Sequence, residues 1–203
     1  MAQQPPYYPQ QAQQPPPKKG MSGCVIALLV LVVVGVPMIG VMAALGIYGV
    51  RKYLAAAKTA EAKNTVGAIA RDAVSAYERE TVVGGKPTHK LCGSATPVPA
   101  VVVKAAKYQP SSAPGADFNS GTPTAGWACL KFSMMSPMYY QYHYQQGSGW
   151  LAPSIAPGPD GFEAAAVGDL DGNGITSKFA RSGAMVGGTL KLSNSLFVEN
   201  ENE

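Results

Sequence analysis

Residues 169–174, DLDGNG, hold the side chains best suited to chemistry in this chain. Their oxygen-bearing side chains fall at alternate positions: Asp169, Asp171 and Asn173. This spacing opens an EF-hand calcium loop, and such ligands suit a hard cation. The twelfth position is Ala180, where an EF-hand has a bidentate glutamate. Two predictions stay open: a weak calcium site that these three residues form with or without Glu163, or a turn between strands that binds nothing.

The two histidines, His89 and His143, give little support to catalysis. His143 falls on the polar phase of the segment YYQYHYQ, residues 139–145, where a solvated or hydrogen-bonded role is expected. No Ser/His/Asp or Cys/His arrangement occurs at a recognisable spacing, and no GxxxxGK[ST] phosphate loop is present. The sequence therefore predicts a protein that is not an enzyme.

Charge is scarce in these 203 residues, and it is unevenly distributed. Charged residues make up 14% of the chain, against about 25% in an average soluble domain. Lys and Arg number 16 and Asp and Glu 12, so the net charge is +4. So small and dispersed an excess does not indicate nucleic-acid binding.

The 27 residues from Cys24 to Val50 contain no charged residue. As a helix they would span about 40 Å, more than the roughly 30 Å hydrocarbon core of a bilayer. A signal-peptide apolar region has only about 7 to 15 residues. Segment 21–50 is therefore predicted to be a transmembrane helix, with a kink or local melting at Pro37 rather than a break.

Before the apolar segment, residues 1–20 form a Gln/Pro-rich tail that is predicted to be disordered or to act as a leader. Beyond it, residues 51–81 are alanine-rich and amphipathic. The apolar stripe consists of Leu54, Val66, Ile69, Ala70, Ala73, Val74 and Tyr77. Because no proline occurs between Pro37 and Pro87, one helix is predicted to continue to about Glu80.

Residues 82–203 have the composition of a β-rich domain, and Gly84, Gly85 and Pro87 are predicted to end the helix. Strands are predicted at 127–135, 138–145, 161–170, 176–183 and 188–193. Short connections favour an antiparallel meander packed on the helix stripe. The predicted fold class is α+β: a long N-terminal helix, transmembrane and then amphipathic, packed on a small antiparallel sheet.

The three cysteines give information about the cellular compartment of the β-rich domain. Cys92 and Cys129 lie 37 residues apart in the β-rich domain and can pair; two free thiols are the alternative. A disulfide closing such a loop would stabilise the domain by about 3 to 4 kcal/mol and would require an oxidising compartment. Cys24 opens the apolar segment, and no lipoprotein signal precedes it.

Residues 40–69, GVMAALGIYGVRKYLAAAKTAEAKNTVGAI, resemble the part of type IV pilins and pseudopilins that leaves the membrane. WACLKF and GDLDGNG are similar to segments in the C-terminal domains of pilin-like proteins. The resemblance implies a filament subunit that bundles with homologous subunits through its helix and is assembled by a pilus or type II secretion platform. The implied helix-bundling face consists of Leu31, Gly35, Gly40 and Leu45. The resemblance also favours calcium binding at the GDLDGNG segment, because related pseudopilins hold calcium in this region.

A prepilin peptidase would cleave after Gly20 or Gly23. The sequence departs from the family pattern here, because neither glycine is followed by Phe and no acidic residue precedes Glu61. The alternative is therefore a permanently anchored, single-pass envelope protein whose extracytoplasmic domain binds a ligand. The predicted location is a bacterial inner membrane, with a cytoplasmic N-terminus and a periplasmic C-terminal domain, or a surface filament.

Overall fold

The computed structural model describes residue 20 and residues 22–79, 81–147, 149, 151, 157–201 and 203. The predicted disordered tail, apart from Gly20, lies outside these residues, as does Glu80, the predicted end of the helix. The chain divides after Val50 into two compact units. The second of them, Arg51–Glu203, is called the sheet unit below.

Helical structure is continuous from Gly23 to Glu78. It consists of α1 (Gly23–Val30), a π-helical turn (Leu31–Gly35) and α2 (Val36–Glu78). The π-turn ends two residues before Pro37, whose ring lacks an N–H group and clashes with the carbonyl group one turn earlier. A wider turn relieves that clash without ending the helix. The helix therefore does not melt at Pro37, which lies in α2 just after the π-turn, and α2 passes through Tyr53 unbroken.

The sheet unit contains eight described strands, all of which pair antiparallel. They are β1 (Thr81–Val83), β2 (Lys86–Thr88), β3 (Ala95–Val98), β4 (Gln141–Gln146), β5 (Phe162–Gly168), β6 (Ser177–Val186), β7 (Thr189–Leu192) and β8 (Phe197–Glu199). β1 and β2 form a separate hairpin, whereas β3 to β7 follow chain order in one sheet and β8 also pairs with β6. The predicted α+β class and the antiparallel meander are confirmed.

Two hairpins depend on consecutive glycines. Gly84 and Gly85 connect β1 to β2 with φ values of 60° and 79°, and Gly187 and Gly188 connect β6 to β7 with 62° and 79°. Positive φ at both central residues is the type I′ geometry that matches the twist of two-residue hairpins. The prediction that Gly84 and Gly85 end the helix is therefore wrong, since α2 ends at Glu78 and these residues turn a hairpin.

The predicted strand at 127–135 is also wrong. Residues Gly126–Leu130 form a short helix, α3, which ends at Lys131 in the left-handed conformation with φ 63°. Ala128 and Lys131 are exposed while their neighbours are buried, which is a helical spacing. The Trp127 indole donates to the carbonyl oxygen of Thr96 at 2.8 Å, which holds α3 against β3.

The core of the sheet unit lies between α2 and the sheet. The buried residues of α2 are mostly small: Thr59, Ala62, Val66, Gly67, Ile69, Ala70, Ala73 and Ala76. Val74 and Tyr77 of the predicted stripe are half-buried, but Leu54 is 53% exposed because burial along α2 begins only at Thr59. Tyr140, Tyr142 and Tyr144 are fully buried beside this face. Small helix residues therefore leave room for large aromatic side chains from the sheet.

Candidate functional site

The first candidate site is the apolar helix segment, Gly23–Val50. All of its large apolar side chains are exposed, by 47% to 72%. Gly23–Glu78 is the one helix, among the described residues, that is long and apolar enough to cross a membrane. So large an apolar surface on a helix requires lipid or another apolar surface around it.

The predicted bundling face of the apolar helix segment remains a prediction. Leu31 and Leu45 are exposed, and a Cβ atom built on Gly35 or Gly40 would meet nothing within 4 Å. These glycines leave the backbone open to close approach by another helix. The π-turn at Leu31–Gly35 departs from the α-helical spacing, so the four residues do not follow a regular 3.6-residue pattern.

The two predicted cleavage sites flank the start of the helix. Gly23 is the first residue of α1, and Gly20 is an exposed residue before it. The carbonyl oxygen of Ser22 accepts hydrogen bonds from the N–H groups of Val25 and Ile26. Cleavage after either glycine would leave the chain from Cys24 onward complete.

In the sheet unit, Glu61 of α2 forms hydrogen bonds with Tyr139 and with Tyr142 of β4. Its Oε1 atom accepts hydrogen bonds from the Tyr139 N–H group at 3.0 Å and from the Tyr142 hydroxyl at 3.3 Å. Burial, and then the nearby Glu61 carboxylate, raises the pKa of Tyr142. The Nζ atoms of Lys58 and Lys107 lie 4.5 and 4.8 Å from the centre of the Tyr139 ring.

The sequence analysis missed this role of Glu61. The available signal was an acidic residue directly beside a stripe of small helix residues, in a chain whose predicted strand is rich in tyrosine. Carboxylates and phenol hydroxyls form strong hydrogen bonds, so such a residue is a candidate for tying a helix to a sheet.

The predicted Cys92–Cys129 disulfide is confirmed. The two Cα atoms are 5.8 Å apart, within the range that a disulfide can bridge. The backbone around it is also tied down, because the Tyr144 hydroxyl donates to the Cys92 carbonyl oxygen at 3.0 Å and the Arg79 guanidinium donates to that of Cys129 at 2.5 Å. The third cysteine, Cys24, is free and exposed.

The DLDGNG segment lies in the eight-residue connection between β5 and β6. Asp169 is buried, and its carboxylate accepts hydrogen bonds from the N–H groups of Gly172 at 2.8 Å and Gly174 at 3.1 Å. Asp171 is exposed and accepts from the backbone and side-chain nitrogens of Asn173 at 3.0 and 2.9 Å. These side chains thus shape the turn by accepting hydrogen bonds within it.

This geometry bears on the calcium prediction. Glu163 cannot join the other three residues, because it lies six residues before Asp169 on β5, about 20 Å along an extended strand. Its carboxylate instead accepts from the Leu151 N–H group at 3.0 Å. Among the described residues, no group of three or more His, Cys, Asp or Glu side chains is placed to hold a metal ion. Calcium binding by Asp169, Asp171 and Asn173 stays an untested prediction.

His143 is half-buried in β4, where its Nε2 atom lies 2.9 Å from the Gln141 Oε1 atom. Burial lowers the pKa of His143 to about 4, so the imidazole is neutral at pH 7. The Gln141 amide donates in turn to the Pro99 carbonyl oxygen at 2.7 Å. His143 therefore belongs to a hydrogen-bonded chain on the sheet, as its position in the polar phase predicted.

Comparison of the chain with protein-family models, with curated protein sequences and with solved structures gives no significant match.

Proposed function

We propose that this chain is the structural subunit of a filament of the type IV pilus or type II secretion kind. One observation carries the proposal: the large apolar side chains of the apolar helix segment are all exposed, while the same helix continues as the stem of a folded sheet unit. A bilayer can cover this surface in a stored subunit. In a filament, lateral packing against the helices of other subunits would cover it instead.

The proposed topology has a cytoplasmic N-terminus and a periplasmic sheet unit. The Cys92–Cys129 disulfide supports it, because disulfides persist in oxidising compartments and are rare in the cytoplasm. A prepilin peptidase and an assembly platform would then be the partners that process the chain and extract it from the membrane.

The filament proposal is tested on material sheared from the surface of cells that make the protein. We expect the chain in the sheared filaments, identified by mass spectrometry, with an N-terminus at Met21 or Cys24. Full-length chain that is confined to the membrane fraction would contradict the proposal. The matched variants Gly20→Leu and Gly23→Leu identify the cleavage site. Only the variant that alters the cleaved glycine should retain the N-terminal Gln/Pro-rich tail.

Subunit contacts along the helix are tested by cysteine cross-linking. In a Cys24→Ser background, single cysteines at Leu31 and Leu45 should form cross-linked dimers and larger oligomers on oxidation. A single cysteine at Lys191, an exposed position on β7, is the control and should not cross-link. Equal cross-linking at all three positions would indicate random collision rather than helix bundling.

The second candidate is the permanently anchored protein with a ligand-binding sheet unit. The observation in its favour is the lack of an acidic residue before Glu61, since a glutamate in the membrane segment sets the register between pilin subunits. Full-length protein in the membrane fraction, with no filaments on the cells, is the outcome that supports this candidate.

A further inference from the structure

The sheet unit contains an open cleft of about 740 Å³ that the sequence analysis did not anticipate. Its walls come from the end of α2, the β1–β2 hairpin, the segment before Cys92, the turn at residues 121–124 and α3. Side chains with apolar surface line much of it: Ala76, Val82, Leu91, Pro123 and Ala128. Its volume is within the range of small-molecule sites, about 300 to 1,000 Å³.

The described charged side chains that line this cleft are all positive. Arg79, Lys90 and Lys131 line it, and none of the described lining residues is acidic. Arg79 uses one N–H group to donate to the Cys129 carbonyl oxygen, which leaves donors on the same guanidinium. Lys90 and Lys131 are exposed, and neither forms an ion pair with a described residue.

The walls of the cleft are held together covalently and by backbone hydrogen bonds. The disulfide links Cys92, two residues after Lys90, to Cys129, two residues before Lys131. On the adjoining wall, the Gly93 N–H group donates to the Thr124 carbonyl oxygen at 2.9 Å. The backbone that carries the cationic groups is thus held in place before binding. This lowers the entropic cost of ordering the backbone when a ligand binds.

The turn at residues 121–124 adds to this rigidity. Gly121 has φ 110°, and a Cβ atom there would collide with the carbonyl oxygen of Ala125. The N–H group of Thr122 donates to that same oxygen at 2.8 Å. The position therefore requires glycine, and the turn closes tightly at the edge of the cleft.

We propose that this cleft binds a small amphiphilic organic anion, such as a carboxylate with an apolar body. The anionic group would lie between Lys90, Lys131 and Arg79, and the apolar body would lie against the aliphatic wall. Charge-assisted hydrogen bonds select the anion, and burial of apolar surface adds affinity. The proposal concerns the sheet unit alone and holds whether or not the chain assembles into filaments.

The test uses the full chain in nanodiscs of zwitterionic lipid and 4-phenylbutyrate as the probe, with binding followed by NMR and calorimetry. The neutral 4-phenylbutyramide has a similar shape without the charge. Empty nanodiscs correct for partitioning of either compound into lipid. The double variant Lys90→Gln/Lys131→Gln is compared with Lys104→Gln/Lys191→Gln, which removes the same charge from exposed lysines that do not line the cleft.

We expect saturable binding of the carboxylate and about tenfold weaker binding of the amide. The cleft double variant should weaken carboxylate binding about tenfold, since each solvated ion pair contributes a factor of up to about five, while the control double variant should change it by less than about twofold. Ala128→Phe narrows the cleft without a change of charge and should weaken the binding of both compounds. Thermal unfolding identifies any variant that fails to fold.

Three results would overturn the proposal. The first is no saturable binding of the carboxylate by the wild-type chain. The second is equal affinity for carboxylate and amide, which would mean that the cationic side chains do not select an anion. The third is an equal loss in the two double variants, which would assign the effect to net charge rather than to this cleft.

Discussion

The helix of this protein has two regions whose apolar residues have different surroundings. In the apolar helix segment the side chains are mainly large and branched, and they are exposed. Between Thr59 and Ala76 the face that packs on the sheet is made mainly of small residues, half of them alanine, and is buried. Side-chain size distinguishes the regions, because small residues let a helix approach a sheet closely while large ones project into lipid or between other helices.

The largest expected effect comes from placing the same charge in each region. Val66→Asp would bury a carboxylate without a partner in the core of the sheet unit, since Val66 is fully buried. We expect a loss of more than about 4 kcal/mol, enough to unfold a unit of ordinary stability. Near-UV circular dichroism from the buried tyrosines measures the loss of packing.

Val41→Asp is the matched control, because Val41 is 60% exposed in the apolar helix segment. It should leave the near-UV spectrum of the sheet unit unchanged and instead weaken membrane insertion by about 3 kcal/mol. An intact sheet unit in both variants, or an unfolded one in both, would contradict the division of roles between the two regions.

The cysteines allow a second comparison of the same kind. Replacing both Cys92 and Cys129 by Ser removes the cross-link from the sheet unit, and we expect a loss of about 3 to 4 kcal/mol in the free energy of unfolding. Cys24→Ser changes an exposed thiol in the other region and should have no measurable effect. Urea denaturation of the three proteins measures the difference, and a similar midpoint in all of them would show that the disulfide does not stabilise the unit.

The sequence predicts the parts of this fold that depend on local patterns of residues. The apolar segment and the alternation of Tyr140, Tyr142 and Tyr144 each follow from one local pattern and are found as expected. The short helix α3 does not follow from such a pattern, because it has only five residues and is fixed by its contact with Thr96 and by the left-handed Lys131.

Contacts between distant parts of the chain were beyond sequence reasoning. The Glu61 contact with Tyr142 spans 81 residues, and Arg79, Lys90 and Lys131 line one cleft although up to 52 residues separate them. No local period encodes such contacts, since they join residues that are far apart in the sequence. The cysteine pair was predictable because these were the two cysteines in the β-rich domain.

The smallest expected effect is a difference in acid sensitivity between the apolar helix segment and the sheet unit. The apolar helix segment has no Asp, Glu or His, so acid should act on the sheet unit alone. Burial lowers the pKa of His143 from 6.5 to about 4, so the unfolded chain binds this proton first and stability falls between pH 6.5 and 4. Burial raises the pKa of Asp72, which acts in the opposite sense because the folded chain binds that proton more readily.

A matched pair of variants isolates the contribution of His143. We expect the wild-type chain to lose about 2 kcal/mol more than His143→Gln when the pH falls from 7 to 4.5, measured by urea denaturation at each pH. Asp72 is common to both proteins, so its contribution cancels in the comparison. If His143→Gln shows the same acid sensitivity as the wild type, burial of this imidazole does not set the pH response of the sheet unit.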